Sequence, residues 1–258
     1  MVTVQPSRAV LTSELQGRTA GYLVAEIRPQ VNGLLEKRLF TEGAQVKEGE
    51  ILYQIDPAPY QAAVDNANAN LMAARKGADR ARAALEASTA SLQRHEATLT
   101  LARTNLKRYE NLLKTEATSA MQRDQSATEV EWAEAALRTA KAQIESDREA
   151  VEAAEATIKQ AEAALKTAAI NLGYTKITAS ISGRIGRSNV TEGAIVTAYQ
   201  PTALATIQQF DPIYVDVPQS TVQLNQLKRS LASGRLKDNG TDRVKIVLED
   251  GTTYPLEG

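Results

Sequence analysis

Two segments of this chain repeat one another at a constant distance. Residues 27–46 read IRPQVNGLLEKRLFTEGAQV and residues 177–196 read ITASISGRIGRSNVTEGAIV. Val31-Asn32-Gly33 matches Ile181-Ser182-Gly183, and Thr41-Glu42-Gly43-Ala44 matches Thr191-Glu192-Gly193-Ala194, each residue 150 positions from its counterpart. Each copy holds β-branched runs broken at glycine, the pattern of strand, turn and strand. Neither copy is large enough to bury a core alone. The two must therefore combine, and whatever lies between them must leave the β domain and come back. The duplication predicts one small β domain, split in sequence, with a helical hairpin inserted in its middle.

The insert carries its own signal. Leu71, Ala78, Leu85, Leu92, Leu99, Leu106 and Leu113 sit seven apart, followed at three residues by Ala74, Ala81, Ser88, His95, Ala102 and Tyr109. The second arm repeats the design with Val130, Leu137, Ile144, Val151, Ile158, Leu165 and Leu172, followed by Ala133, Ala140, Asp147, Ala154, Ala161 and Ala168. An unbroken period of seven selects a left-handed coiled coil over a straight amphipathic helix. In an antiparallel pair the large position faces the small one. At about 1.5 Å per residue each arm is roughly 80 Å long. The break in KTEATSAM, between Lys114 and Met121, is the tip, with Thr118 or Ser119 as the cap of the second helix.

On the flanks, Val2, Val4, Val10, Leu11 and Leu15 alternate weakly and predict one or two strands, and residues 24–55 predict four short strands with glycine turns. After the second repeat, FDPIYVDVP (210–218) predicts a strand with Pro212 near its start. QSTVQLNQLKRSLAS predicts an amphipathic helix with Val222, Leu227 and Leu231 inward and Gly234 as its stop. RVKIVLEDGTTYPLEG predicts a β-hairpin on Asp250-Gly251. This last piece is too small to close a barrel, and residues 1–22 are expected to join it.

Composition removes several function classes. Lys and Arg number 30 against 31 Asp and Glu, which gives no electrostatic reason to expect nucleic acid. The chain has no cysteine, so it offers no disulfide, thiolate nucleophile or cysteine metal site, and the lone His95 cannot build a multi-histidine one. Two Phe and one Trp among 258 residues imply thin packing layers. No apolar stretch is long enough to span a bilayer. The start lacks the charged-then-apolar pattern of a signal peptide, so no targeting segment is expected within the chain. The glycines Gly33, Gly43, Gly183 and Gly193 suit tight turns and form no phosphate-binding loop. Asp56, Glu42 and Glu192 are isolated carboxylates. No catalytic, cofactor or metal constellation is present.

The order of half-repeat, coiled hairpin, half-repeat and β-barrel, with RPQVNG, EGAQVKEG and LYQIDPAPYQA on entry and NLGYTKITASISGRIGRSNVTEGAIV and ATIQQFDPIYVDV on exit, resembles the periplasmic adaptors, or membrane fusion proteins, of resistance-nodulation-division (RND) multidrug efflux pumps, AcrA/MexA type. The likeness covers nearly the whole chain. It departs in a hairpin about three heptads longer per arm and in ending inside the barrel. The resemblance implies an elongated α+β chain: N-terminal strands (1–22), two halves of a lipoyl-like domain (23–56 and 174–208), an antiparallel coiled-coil hairpin (57–173, tip near 115–120) and part of a β-barrel (209–258). It further implies a non-enzymatic adaptor in the periplasm, attached to the inner membrane of a Gram-negative bacterium. The adaptor would bridge an RND transporter and an outer-membrane channel of the TolC type, usually as six copies. An adaptor for an ATP-driven or type I secretion exporter has the same architecture. A biotin or lipoate carrier is the reading from the enzyme class. Carriers take the cofactor on a lysine in a D-K-A turn, and here that turn is Asp56-Pro57-Ala58, with no amine to acylate.

The resemblance also assigns a site. In the family an Arg, a Leu four residues later and a Ser seven after that dock the tip on the outer-membrane channel, and Arg108, Leu112 and Ser119 match that spacing. A solvent-facing helix Arg, a coil-flanking Leu and a capping Ser would give the same spacing without a partner. Leu112 is the most telling, since Leu113 already fills the heptad position and Leu112 must point off the seam. His95 and Asp147 interrupt the small positions of the coil. They are expected in neighbouring layers, as a register-setting or hydrogen-bonded pair, and a pH switch is the sharper alternative.

Overall fold

A computed structural model describes residues 14–234 and 244–255. The elements run β1 (Arg18–Ile27), β2 (Gly33–Arg38), β3 (Gln45–Val46), β4 (Ile51–Ile55), α1 (Ala58–Lys114), α2 (Ala120–Gly173), β5 (Lys176–Thr178), β6 (Gly183–Ile185), β7 (Ile195–Val196), β8 (Ala205–Asp216) and α3 (Thr221–Ala232). The strands form two four-stranded sheets, ordered β1-β8-β6-β3 and β5-β4-β2-β7. The chain divides into a larger compact unit, residues 25–207, and a smaller one, residues 1–24 with 208–258; the division falls inside β1 and β8.

In the larger unit the two copies of the repeat exchange strands. β2 pairs β7 with Gly33 opposite Val196 and Leu34 opposite Ile195; β3 pairs β6 with Val46 opposite Gly183 and Gln45 opposite Arg184. Shifting either pairing by 150 residues gives the other. The turn bonds obey the same rule. Leu35 N–H donates to the Ala194 carbonyl at 2.9 Å, and Ile185 N–H to the Ala44 carbonyl at 3.0 Å. Glu48 N–H donates to Ser182 Oγ at 2.9 Å, and Ala198 N–H to Asn32 Oδ1 at 2.7 Å. The motif carboxylates are braces in this scheme: Glu192 Oε1 accepts from Arg38 N–H at 2.8 Å and Glu42 Oε1 from Ser188 N–H at 3.0 Å. Each half thus satisfies the backbone groups of the other, which is what two half-cores require.

The core between the sheets draws on both copies. Leu35, Leu52, Tyr53, Ile55, Val196, Leu204, Ala205 and Ile207 are fully buried, with Ile27, Val46, Ile177 and Ile185 beside them. Phe40 meets Tyr53 edge-on at 5.2 Å between ring centroids. The Tyr53 hydroxyl lies 2.7 Å from Ser188 Oγ and donates to the Leu204 carbonyl at 3.2 Å. Burial raises the pKa of this phenol. Gly43 and Gly193 turn the chain at φ of 78° and 85°, as expected. Gly183 departs from that expectation: it is the first residue of β6 and its φ is not positive. Gly33 is needed for close approach, because a Cβ there would lie 2.6 Å from Ile55 Cγ2.

The helices leave from adjacent strands. β4 runs into α1, α2 runs into β5, and β4 pairs β5 antiparallel, with Tyr53 opposite Ile177 and Gln54 opposite Lys176. Asp56 Oδ1 accepts from Ala58 N–H at 2.9 Å and Pro57 sits at the helix start, where its missing N–H costs nothing. The predicted seam residues are buried or half-buried on both helices, while most positions between them face water. Leu99, Ala102 and Ala133 form a small buried cluster with Val130 and Leu137 packed on it. Ion pairs Arg75–Glu162 (3.2 Å), Arg82–Glu155 (2.8 Å) and Arg103–Glu134 (2.8 Å) fix the direction: α1 rises as α2 descends, in matched steps of seven.

The smaller unit differs from expectation in three ways. Its strand does not begin near Pro212: β8 starts at Ala205, inside the core of the larger unit. The turn at Asp250-Gly251 carries one isolated bridge, Val247 with Thr253, rather than paired strands. α3 forms where predicted, capped by Ser220 Oγ accepting from Val222 N–H. Its residues Val222, Leu227 and Leu231 are nevertheless 64%, 44% and 38% exposed rather than inward. A helix face is covered by a sheet or a second helix, and one bridge among the described residues supplies neither. Of the N-terminal alternation, Val2, Val4, Val10 and Leu11 lie outside the described residues; Tyr22 on β1 stacks against Tyr214 on β8, tilted, at 5.2 Å.

Candidate functional site: the hairpin tip

The tip is closed by two capping motifs back to back. At the end of α1, Ala117 N–H donates to the Leu112 carbonyl at 3.0 Å and Glu116 N–H to the Leu113 carbonyl at 3.1 Å. These are the two bonds of a Schellman motif. The left-handed residue in it is Glu116, at φ 55°, where glycine is usual. α2 then begins on Ser119, whose Oγ accepts from Gln122 N–H at 3.3 Å, while Thr118 Oγ1 donates to Gln122 Oε1 at 2.6 Å.

Of the three residues singled out by spacing, Ser119 is the N-cap. Arg108 lies exposed on the last turns of α1 and joins no ion pair among the described residues. Leu112 is 37% exposed and its neighbour Leu113 is half-buried, as the heptad phase requires. All three belong to the last two turns of α1 and the start of α2. Sequence reasoning missed Met121, 68% exposed in the first turn of α2, and two apolar side chains further down the hairpin, Leu101 (62%) and Trp132 (71%). The heptad could have found the last two, because each lies two residues past a seam position.

The polar seam residues do not pair as expected. Asp147 Oδ2 accepts from Ser88 Oγ, across the seam, and its Oδ1 accepts from Gln143 Nε2 at 3.0 Å. Both oxygens are thereby occupied and His95 is not bonded to Asp147. The heptad gives phase along each helix, and the serine on the facing helix is the group within reach. At the helix start, the Asp56-Pro57-Ala58 turn is spent on beginning α1. Among the described residues no group of three or more His, Asp or Glu is placed to hold a metal ion. The resolved carboxylate shifts are structural. Glu42 is held below its ordinary range first by the Ser188 N–H, then by Arg38 and Arg187, and Asp250 by the Thr252 hydroxyl and N–H.

A split β domain with a hairpin rising from adjacent strands is one architecture among many until the sequence is compared. Residues 23–208 match the family described as RND MFP, barrel-sandwich hybrid domain. The chain belongs to the RND membrane fusion protein family. Among curated RND membrane fusion relatives, the antibiotic efflux pump periplasmic linker protein ArpA of Pseudomonas putida is 45% identical over 260 residues, covering 100% of this chain and 55% of that protein. The toluene efflux pump periplasmic linker protein TtgA, also of Pseudomonas putida, is 45% identical over 100% of this chain and 53% of that protein. The multidrug efflux pump subunit AcrA of Escherichia coli is 42% identical over 100% of this chain and 55% of that protein. The chain spans about half the length of the curated relatives it matches. A solved MacA-MexA chimera containing the Pseudomonas aeruginosa MexA α-hairpin domain covers 92% of this chain and 63% of its own, with a TM-score of 0.54 at 24% identity, a likeness of fold.

Proposed function

We propose that this chain is the hairpin-bearing part of a periplasmic adaptor in a tripartite RND-type multidrug efflux pump. It bridges an inner-membrane RND transporter and an outer-membrane channel of the TolC type. In this reading α1 and α2 are a coiled coil, the β strands of the larger unit a lipoyl-like domain, and the smaller unit part of a β-barrel. The protein works in the periplasm of a Gram-negative bacterium, attached to the inner membrane, as six copies around an axis. Its role is mechanical and not enzymatic: the transporter drives the drug and the adaptor holds the path together. The observation that carries the reading is the family match across the hairpin and both halves of its β domain, joined to the efflux-pump linker names of relatives aligned over the whole chain.

The tip supplies the docking groups. Arg108 offers a charge-assisted hydrogen bond, Leu112 an apolar contact and Ser119 a hydroxyl beside its capping bond. One such contact is weak; a ring multiplies it, since each later contact forms at high effective concentration. Arg108→Asp and Leu112→Ser are expected to abolish efflux-dependent resistance in complemented cells and to reduce cross-linking of the tip to the channel, with folding and transporter binding intact. Arg80→Ala, at an exposed position outside the ion-pair ladder, is the mild control. Wild-type resistance and undiminished cross-linking in both tip variants would remove the tip as the docking site.

A further inference from the structure

The seam of the hairpin is not filled evenly along its length. In α1 the fully buried residues are Leu71 and Ala78 on the root side and Leu99 and Ala102 on the tip side. The seam positions between them, Ala81, Leu85, Ser88, Leu92 and His95, are all half-buried. In the facing stretch of α2, Ile144 is fully buried, and Ala140, Asp147, Val151 and Ala154 are half-buried. The flank shows the same gap. Arg75–Glu162 and Arg82–Glu155 lie on the root side, and Arg103–Glu134 on the tip side. The two rungs between them set Thr89 opposite Arg148 and Glu96 opposite Lys141. Neither rung carries a cross-helix ion pair among the described residues. Arg148 bonds within its own helix instead, to Glu145 at 3.4 Å.

The residues of the gap give the reason. Ala102 and Ala133 share a buried layer. Steps of seven from it set His95 opposite Ala140, Ser88 opposite Asp147 and Ala81 opposite Ala154. Ser88 Oγ donates to Asp147 Oδ2 across the seam, while Gln143 Nε2 donates to Asp147 Oδ1 at 3.0 Å from within α2. Parting an apolar layer exposes apolar surface to water, which is costly in proportion to its area. Parting the Ser88–Asp147 layer breaks one hydrogen bond, and water replaces it on both sides. The carboxylate also regains hydration, and its bond to Gln143 does not cross the seam. This layer therefore resists opening least, and its looser neighbours open with it. Both helices run unbroken through it, so the packing between them yields while the helices persist. The ion pairs on either side hold the register, so the helices part without sliding.

We propose that the Ser88–Asp147 layer is a joint at mid-length of the hairpin. Here the two helices part and close again while staying paired toward root and tip, and the outer half bends relative to the inner half. The joint stands on the seam; its use rests on the docking reading above. It lies about 40 Å from the end of α1, at about 1.5 Å per residue. Bending there moves the tip sideways to meet a partner while the β domain stays in place.

Native-state amide exchange of the full chain tests the joint. Amides of residues 85–92 and 144–151 are expected to exchange about tenfold or more faster than those around Leu99 and Ala133. Ser88→Ala combined with Asp147→Ala gives this layer the composition of the Ala102–Ala133 layer. The pair is expected to slow exchange there by about tenfold or more. Thr89→Ala with Ser146→Ala, at exposed neighbouring positions, raises helix propensity without touching the seam and is expected to do clearly less. Even protection along both helices overturns the proposal, and so does a seam pair that slows exchange no more than the flank pair. Resistance in complemented cells reads the use of the joint, and the seam pair is expected to lower it severalfold. Full resistance with a closed joint, while Arg108→Asp and Leu112→Ser still abolish it, overturns the joint's part in docking and leaves docking standing. Full resistance in the tip variants removes docking, and the exchange pattern then decides the joint by itself.

Discussion

Leu99 and Leu101 are two residues apart in α1 and differ in one respect: 6% of Leu99 and 62% of Leu101 is exposed. Leu99 packs with Ala102 and Ala133, flanked by Val130 and Leu137. Leu99→Ala removes three carbons, and at about 0.8 kcal/mol per buried CH₂ the transfer loss is about 2.4 kcal/mol. Deep cores add a cavity penalty. Here it is small, because the seam has one partner helix and Val130 and Leu137 are only half-buried. The expected cost is about 2–3 kcal/mol for Leu99→Ala and under about 0.5 kcal/mol for Leu101→Ala. The assay is native-state amide exchange in α1 around Leu99 and in α2 around Ala133, with the amides of Leu35 and Ile55 in the β core as internal reference. The loss corresponds to about thirtyfold to 140-fold lower protection in the hairpin, with the β core unchanged. Equal effects of the two substitutions, or a β core loosened as much as the hairpin, would refute the packing phase and the separate standing of the seam.

Two further outcomes follow from particular bonds. Glu116→Gly gives the Schellman motif its usual left-handed residue and should stabilise the tip by about 1 kcal/mol, read as slower amide exchange at Ala117 and Gln122; a looser tip would sink the cap assignment. Glu42 has its folded pKa below its ordinary value of 4.5, so its bracing contribution is present above that value and is lost as pH falls through the lowered one. Thermal unfolding should therefore drop more steeply on acidification in the wild type than in Glu42→Gln, and parallel curves would count against the brace.

The repeat and the heptads are legible because they are periodic, and periodicity survives without knowledge of partners. The phase of Leu99 and Ile144, and the off-seam position of Leu112, follow from counting. Partners across the fold do not. Glu42 and Glu192 look isolated because the amides they accept from lie 146 and 154 residues away; only the strand exchange between half-repeats brings them within reach. His95 and Asp147 are close enough in layer to suggest a pair, yet the register fixed by the ion pairs sets Asp147 opposite Ser88, a heptad from His95, and Ser88 takes the carboxylate. The inward face assigned to α3 fails for a related reason: amphipathicity names a face without supplying its cover.

The ion pairs along the hairpin are too exposed to hold it together. Their side chains are between 39% and 60% exposed, and such pairs contribute about 0.2–1 kcal/mol each. Their spacing acts on register instead. A seam of period seven is nearly as well filled when one helix slides by a heptad. In the observed register two rungs lie between Arg82–Glu155 and Arg103–Glu134, and Glu96 and Lys141 occupy one of them. A slide of seven one way sets Arg82 against Arg148 and Glu96 against Glu134; the other way sets Arg103 against Lys141, keeping only Arg82 opposite Glu162 and Glu96 opposite Arg148 as attractive rungs. Both slips bring like charges together on the flank. The same register is imposed at the root, where Ile55 N–H donates to the Thr175 carbonyl at 2.8 Å, and at the tip, where the two caps close over five residues, 115–119. A one-heptad slip would displace one side of the tip by about 10 Å relative to the other, separating Leu112 from Ser119. Under the tip docking proposed above, a small contact at the far end of the hairpin needs its register fixed at root, flank and tip together, and weak charges in constant steps favour that register without burying any of them.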